Sequence, residues 1–146
     1  MSEGARPALD ILEDIEAIIR TYPPLRESRP HLSIDVSDSG VVAFRGNLRS
    51  GVMRRVLIDS TMQLPGVTGV VDDELYDDDA LEIAIAQQMP PRVFVTSVNG
   101  AVVLSGGLRD PAAAEEAVRA AQAIPGVRAV TTDFYALRVR EPAAVR

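Results

Sequence analysis

The stretch Asn99-Gly100-Ala101-Val102-Val103-Leu104-Ser105-Gly106, followed by Asp110-Pro111 and then by Pro125-Gly126-Val127, decides how this chain is read. Asn-Gly is a strong hairpin signal, because both residues tolerate positive φ. The apolar run after it, Ala101 to Leu104, is a returning strand that stops at a glycine, and Val93 and Val95 belong to the strand before it. Asp110 is a natural helix N-cap and Pro111 a natural first helical residue. Ala114, Ala117, Val118, Ala121 and Ile124 then form one apolar stripe at helical spacing. Pro125-Gly126 ends that helix, and a third strand is expected from Val127 to Val139.

The same pattern stands 60 residues earlier. Gly40 matches Gly100, Val42 matches Val102, Gly46 matches Gly106, and Leu48-Arg49 matches Leu108-Arg109. Pro65-Gly66-Val67 matches Pro125-Gly126-Val127, and no gap is needed from Gly40 to Asp73. Chance does not place three glycines in register, one of them within a shared Pro-Gly-Val, so the chain is two copies of one small unit.

Each copy opens with a helix: Ile11, Ile15, Ile18 and Ile19 in the first, and Leu81, Ala84 and Ile85 after Asp78-Asp79 in the second. Asp78 and Asp79 read as cap and first-turn residues of that second helix. Pro23-Pro24 and Pro90-Pro91 are expected to end these helices. Ile34 and Val36 lead to the turn at Asp38-Ser39-Gly40, which counts as one residue tighter than its partner. Ser50 caps the next helix of copy 1, whose stripe is Met53, Leu57, Ile58, Thr61 and Leu64. Its third strand is expected from Val67 to Leu75. Residues Arg26 to His31 read as a polar flank that blunts a sheet edge. The order is α-β-β-α-β twice, an α+β chain. The expected division is a tail at 1–8, units at 9–77 and 78–140, and a tail at 141–146, joined near Asp77 with almost no linker.

Composition excludes several classes of function. Apolar residues make up 47% of the 146, enough for two aliphatic cores. Cysteine is absent and His31 is the only histidine, which removes disulfides, zinc-thiolate sites and thiol catalysis. All 15 basic residues are arginine, against 21 acids. Seven of those acids lie between Val71 and Glu82, so the net charge of −6 is one acidic band on an otherwise neutral chain. No basic stripe is visible, and nucleic acid is not an expected partner. No apolar run approaches the ~20 residues that span a bilayer, and no signal-peptide pattern opens the chain, so the expected location is the cytoplasm.

The strand, the run Asn99 to Gly106, the capped helix and Pro-Gly-Val-x-x-Val together resemble the BON domain family, named for bacterial osmotically inducible and nodulation proteins. Copy 2 matches from about Asp78 to Val139 and copy 1, less cleanly, from about Leu9 to Asp77. The resemblance implies two αββαβ sandwiches, each with two helices on one face of a three-stranded mixed sheet. It also implies a non-enzymatic role in binding phospholipid membranes or partner proteins, often in the bacterial envelope under osmotic stress.

Arg49 and Arg109 are the candidate ligand-binding residues, because each stands just before a helix, where exposed N–H groups and a guanidinium suit an anion. The bland alternative for each is a pair with a nearby carboxylate. The glycines read as turn residues rather than a phosphate loop, since no Gly-Lys-Ser/Thr follows. Tyr76-Asp77-Asp78-Asp79 lacks the spacing of a calcium loop, so no metal is expected, and neither a cofactor nor a catalytic residue. Beside phospholipid, the second reading is a homo-oligomer formed through open sheet edges.

Overall fold

Isoleucines at every fourth place must share one face of a helix. Ile11, Ile15 and Ile19 do so in α1 (Ala8–Thr21), where each is at most 1% exposed. The structure, a computed structural model, describes residues 6–134. The last part of the expected third strand and the arginines Arg138 and Arg140 lie outside the described residues.

α1 stops before Pro23-Pro24, whose nitrogens have no hydrogen to donate. The same prolines then start a second helix, α2 (Pro23–Ser28), at positions where a missing N–H costs nothing. A 3-10 turn at Arg29–His31 follows. The stretch read as a polar flank is therefore helical, and α2 buries Leu25 and Ser28. His31 sits in the 3-10 turn, and its imidazole makes no hydrogen bond among the described residues.

In the first sheet β1 (Leu32–Val36) runs antiparallel to β2 (Val41–Leu48), which runs parallel to β3 (Gly69–Asp77). α3 (Gly51–Met62) makes the crossover, and the Ser50 hydroxyl caps it by accepting the Met53 N–H at 3.1 Å. The second unit repeats this with α4 (Asp78–Ala86), β4 (Val93–Val98), β5 (Ala101–Gly106), α5 (Pro111–Gln122) and β6 (Ala129–Phe134), in the strand order β4-β5-β6. One core gathers Ile11, Ile15 and Ile19 with Val42, Phe44, Leu48, Met53 and Leu57; the other gathers Leu81 and Ile85 with Val102, Leu104, Ala117, Ala121 and Phe134. Both helical stripes of a unit thus meet one face of its mixed sheet, and the chain is α+β.

Three details differ from the sequence reading. β2 does not stop at Gly46 but continues to Leu48, which is fully buried. The turn of the first unit is wider, not tighter. Val98 pairs directly with Ala101, leaving Asn99 and Gly100 as a two-residue turn with φ of 48° and 84°. Such a turn needs two positive φ angles, which Asp38-Ser39 does not take. The first turn is closed instead by Ser37, whose hydroxyl accepts the Val41 N–H at 3.0 Å. Finally, α4 is capped by Asp77, which accepts the Ala80 N–H at 2.8 Å, and not by Asp78 or Asp79. Strand β3 passes into α4 with no residue between them.

Candidate functional site

Because Asp77 takes the cap, Asp78 is free to turn its carboxylate into the junction between the repeats. It is 1% exposed and accepts four hydrogen bonds. Oδ1 receives the Ser97 hydroxyl at 2.6 Å and the Gly100 N–H at 3.0 Å. Oδ2 receives the Asn99 N–H at 2.7 Å and Arg49 Nη1 at 2.8 Å. The same Arg49 nitrogen donates to the Ser97 carbonyl at 2.8 Å. Burial pushes the Asp78 carboxyl up, but the donors Ser97, Arg49, Gly100 and Asn99 outweigh it and hold it below its ordinary value. A buried carboxylate with both oxygens filled and a guanidinium beside it is a strong but conditional bond: removing Arg49 strands the buried charge of Asp78, whereas Arg49, half-exposed, keeps its access to water if Asp78 is removed.

Other contacts surround this hub. Asn47 Nδ2 donates to the Gly126 carbonyl at 2.9 Å, and the Ser28 hydroxyl to Asn99 Oδ1 at 3.2 Å. The Gly51 N–H, at the start of α3, donates to Asp79 Oδ2 at 2.9 Å. Asn47 and Tyr76 are paired neighbours on β2 and β3, and both rest on repeat 2. A Cβ at Gly126 would run into the Tyr76 ring, and one at Gly100 would come within 2.6 Å of Asn47 Nδ2. These glycines are therefore needed for close approach between repeats as well as for their turns.

The structure separates the two candidate arginines. Arg49 is a strut of the junction. Arg109 is exposed and has no hydrogen bond or ion pair among the described residues. Asp110, next to it, accepts the Ala112 N–H at 3.0 Å and caps α5. The Gly107 N–H donates to the Arg92 carbonyl at 3.1 Å, which brings Arg92 to the same end of repeat 2, away from the junction. Arg92 is likewise exposed. Sequence reasoning had Asp78 as a helix-end residue and missed the hub. The available signal was spacing: an acid opens repeat 2 at 29 residues after Arg49, whereas Arg138 stands 29 residues after Arg109.

Among the described residues, Arg6, Arg26, Arg29, Arg45, Arg54 and Arg128 are also engaged within the chain. Arg29 binds Glu16 at 2.6 Å and the Leu32 carbonyl of β1 at 2.7 Å. The hydrogen bond from Arg29 is the main reason the Glu16 carboxyl lies below its ordinary range. Arg54 binds Asp72 at 2.6 Å and donates to the carbonyls of Leu75 and Asp72 on β3. On β4 the Ser97 N–H is taken by Glu82 at 2.8 Å and its carbonyl by Arg49. Side chains thus occupy backbone groups on β1 and β3, which hinders pairing there with another chain, while on β4 they take only Ser97, next to the turn. Among the described residues, no group of three His, Cys, Asp or Glu side chains is arranged to hold a metal ion.

A family model of the BON domain matches twice, over residues 10–75 and 77–140. The chain belongs to the BON domain family. BON domains are non-catalytic binding modules, and here two of them stand in tandem. No curated protein matches the chain. Among solved structures it is similar to the C-terminal domain of CdsD, titled the structural protein of the type III secretion system of Chlamydia trachomatis. That structure is 16% identical, at a TM-score of 0.36, over 86% of this chain and 96% of that one. A second CdsD structure is 17% identical, at a TM-score of 0.35, over 91% and 99%. The BON fold described above rests on this chain's own elements. Among the described residues no helix is long and apolar enough to cross a membrane.

Proposed function

We propose that this tandem BON chain is a non-enzymatic binding module whose repeats act as one body, and that it meets anionic phospholipid through the end of repeat 2 that carries Arg109. One observation carries the reading: of two arginines at matched positions, Arg49 is committed to Asp78 while Arg109 is exposed and unpaired among the described residues. Arg92 at the same end adds a second exposed cation. Attraction is weak, because each basic residue near such a surface contributes only ~1 kcal/mol and salt reduces it. The acidic band at the junction opposes close approach of that region. The non-enzymatic reading is supported by the family, whose domains are non-catalytic binding modules. The alternative, self-association through sheet edges, has less support, since side chains occupy the backbone of β1 and β3.

Co-sedimentation with anionic vesicles at low and physiological salt tests this. Wild type pellets at low salt, Arg109→Ala loses most of that pelleting, and Arg49→Ala pellets as wild type does if it remains folded. No pelleting of wild type at low salt ends the phospholipid reading, and pelleting that ignores Arg109 moves the lipid contact elsewhere.

A further inference from the structure

Strand β4 lies at an edge of its sheet, with α4 alongside it. Between them runs an open groove of about 530 Å³, walled by Asp79, Glu82, Ile83 and Ala86 of α4 and by Val93, Phe94 and Val95. Two of its apolar walls face water: Ile83 is 62% and Phe94 65% exposed. The other two described phenylalanines, Phe44 and Phe134, are at most 4% exposed, so Phe94 stands apart.

The backbone of the strand points into this groove. Val98 and Ala101 flank a two-residue turn, and the backbone groups of Val98, Thr96 and Phe94 therefore face β5. Those of Ser97, Val95 and Val93 face away from it. Ser97 is satisfied by Glu82 and Arg49, and the Val93 N–H by the Pro90 carbonyl at 3.4 Å. The Val95 N–H and C=O have no hydrogen-bond partner among the described residues.

We propose that this groove takes an extended peptide segment of a partner protein, in which an apolar residue is flanked by arginine or lysine. The segment adds to β4 through the Val95 N–H and C=O, the way a strand extends a sheet edge. Its side chains alternate between the faces of the sheet: the apolar one lies on the open face against Phe94, and the basic one on the helix face with its stem beside Ile83. Its basic side chain reaches the carboxylates of Asp79 and Glu82, each of which uses one oxygen on a backbone N–H and keeps the other available. Charge selects the occupant: the residues from Val71 to Glu82 include seven acids and no base, so an acidic segment is repelled. The same charge weighs against an anionic membrane and against a second copy of this acidic chain.

Fluorescence anisotropy with a labelled Arg-Val-Arg-Val-Arg-Val peptide tests this, with Glu-Val-Glu-Val-Glu-Val as the charge-reversed probe. Saturable binding of the basic peptide alone is expected. Ile83→Asn removes the apolar wall at an exposed site without changing the charge and is expected to weaken binding about tenfold or more. Val95→Pro removes the groove-facing N–H without breaking a ladder bond and is expected to weaken it likewise. Val52→Asp, at an exposed valine on α3, leaves it unchanged. The proposal is overturned by absence of binding, by equal binding of both peptides, or by binding that Ile83→Asn leaves intact while circular dichroism shows the variant folded. Vesicle pelleting or dimerisation that Ile83→Asn abolishes, without peptide binding, also overturns it and assigns the groove to lipid or to a second copy.

Discussion

The two repeats share a backbone plan and spend their matched positions differently. In repeat 1 the crossover helix packs Leu57 and Thr61 onto its sheet; 60 residues on, repeat 2 packs Ala117 and Ala121. Across the open face of sheet 1, Arg45 bridges Asp35 at 3.4 Å and Glu74 at 2.9 Å. Registered onto sheet 2, Asp35 becomes Thr96, Arg45 becomes Ser105 and Ser33 becomes Phe94. Even the bond behind each hairpin turn survives with new chemistry. The Thr68 hydroxyl donates to the Ser39 carbonyl at 2.9 Å, and Arg128 Nε to the Asn99 carbonyl at 2.6 Å. The lesson is that glycines, caps and stripe spacing set the fold, while the side chains on that frame decide which repeat is strut and which is surface.

The junction is where the repeats differ most, and breaking it gives the largest expected effect. Asp78→Ala leaves the Arg49 charge, the Ser97 hydroxyl and two N–H groups without their acceptor. We expect it to cost about 3–5 kcal/mol in urea denaturation, because the Ser97 hydroxyl and the Asn99 and Gly100 N–H groups are buried, while Arg49 still reaches water. Because the folded carboxyl titrates below its ordinary 3.8, its contribution is complete above that pH and is lost as pH falls through the lower folded value. Asp78→Asn should therefore remove part of the wild-type loss of stability below about pH 3.8, and an unchanged acid profile would contradict the hub.

Next in size is the core. Leu57 is fully buried, and Leu57→Ala gives repeat 1 the residue that repeat 2 carries at Ala117. A loss of about 2–5 kcal/mol is expected, since the backbone of repeat 1 is set for the larger side chain. The reverse exchange, Ala117→Leu, should cost about 1–3 kcal/mol by overpacking. If either substitution is neutral in chemical denaturation, the two helix–sheet spacings are interchangeable and the comparison of cores fails.

The smallest expected effect is on the surface. Arg109→Ala should change stability by less than about 0.5 kcal/mol, whereas Arg49→Ala, which leaves Asp78 buried beside a vacant donor position, should be clearly destabilising. Equal effects in thermal melts would mean that the two arginines do the same work.

Much of the fold was legible in the sequence, because it rests on local signals: isoleucines four apart in α1, Asn99-Gly100 at the turn, Ser50 and Asp110 as caps. α2 was not, because Pro23-Pro24 ends one helix and starts another, and only packing of Leu25 and Ser28 separates those outcomes. Arg49 and Arg109 were legible as positions but not as roles, since a Leu-Arg pair just before a helix gives no sign of what lies across the junction. Asp78 was hidden for a related reason. Three consecutive aspartates all suit a helix start, and which one caps depends on tertiary contacts that spacing does not encode.

The central claim, that the two BON repeats form one body locked at Asp78, is tested most directly by backbone 15N relaxation on the wild-type chain. A single rotational correlation time for residues of both repeats is predicted, since β3 runs into α4 without a linker and the junction is bonded from both sides. Two distinct correlation times, one for each repeat, would contradict it.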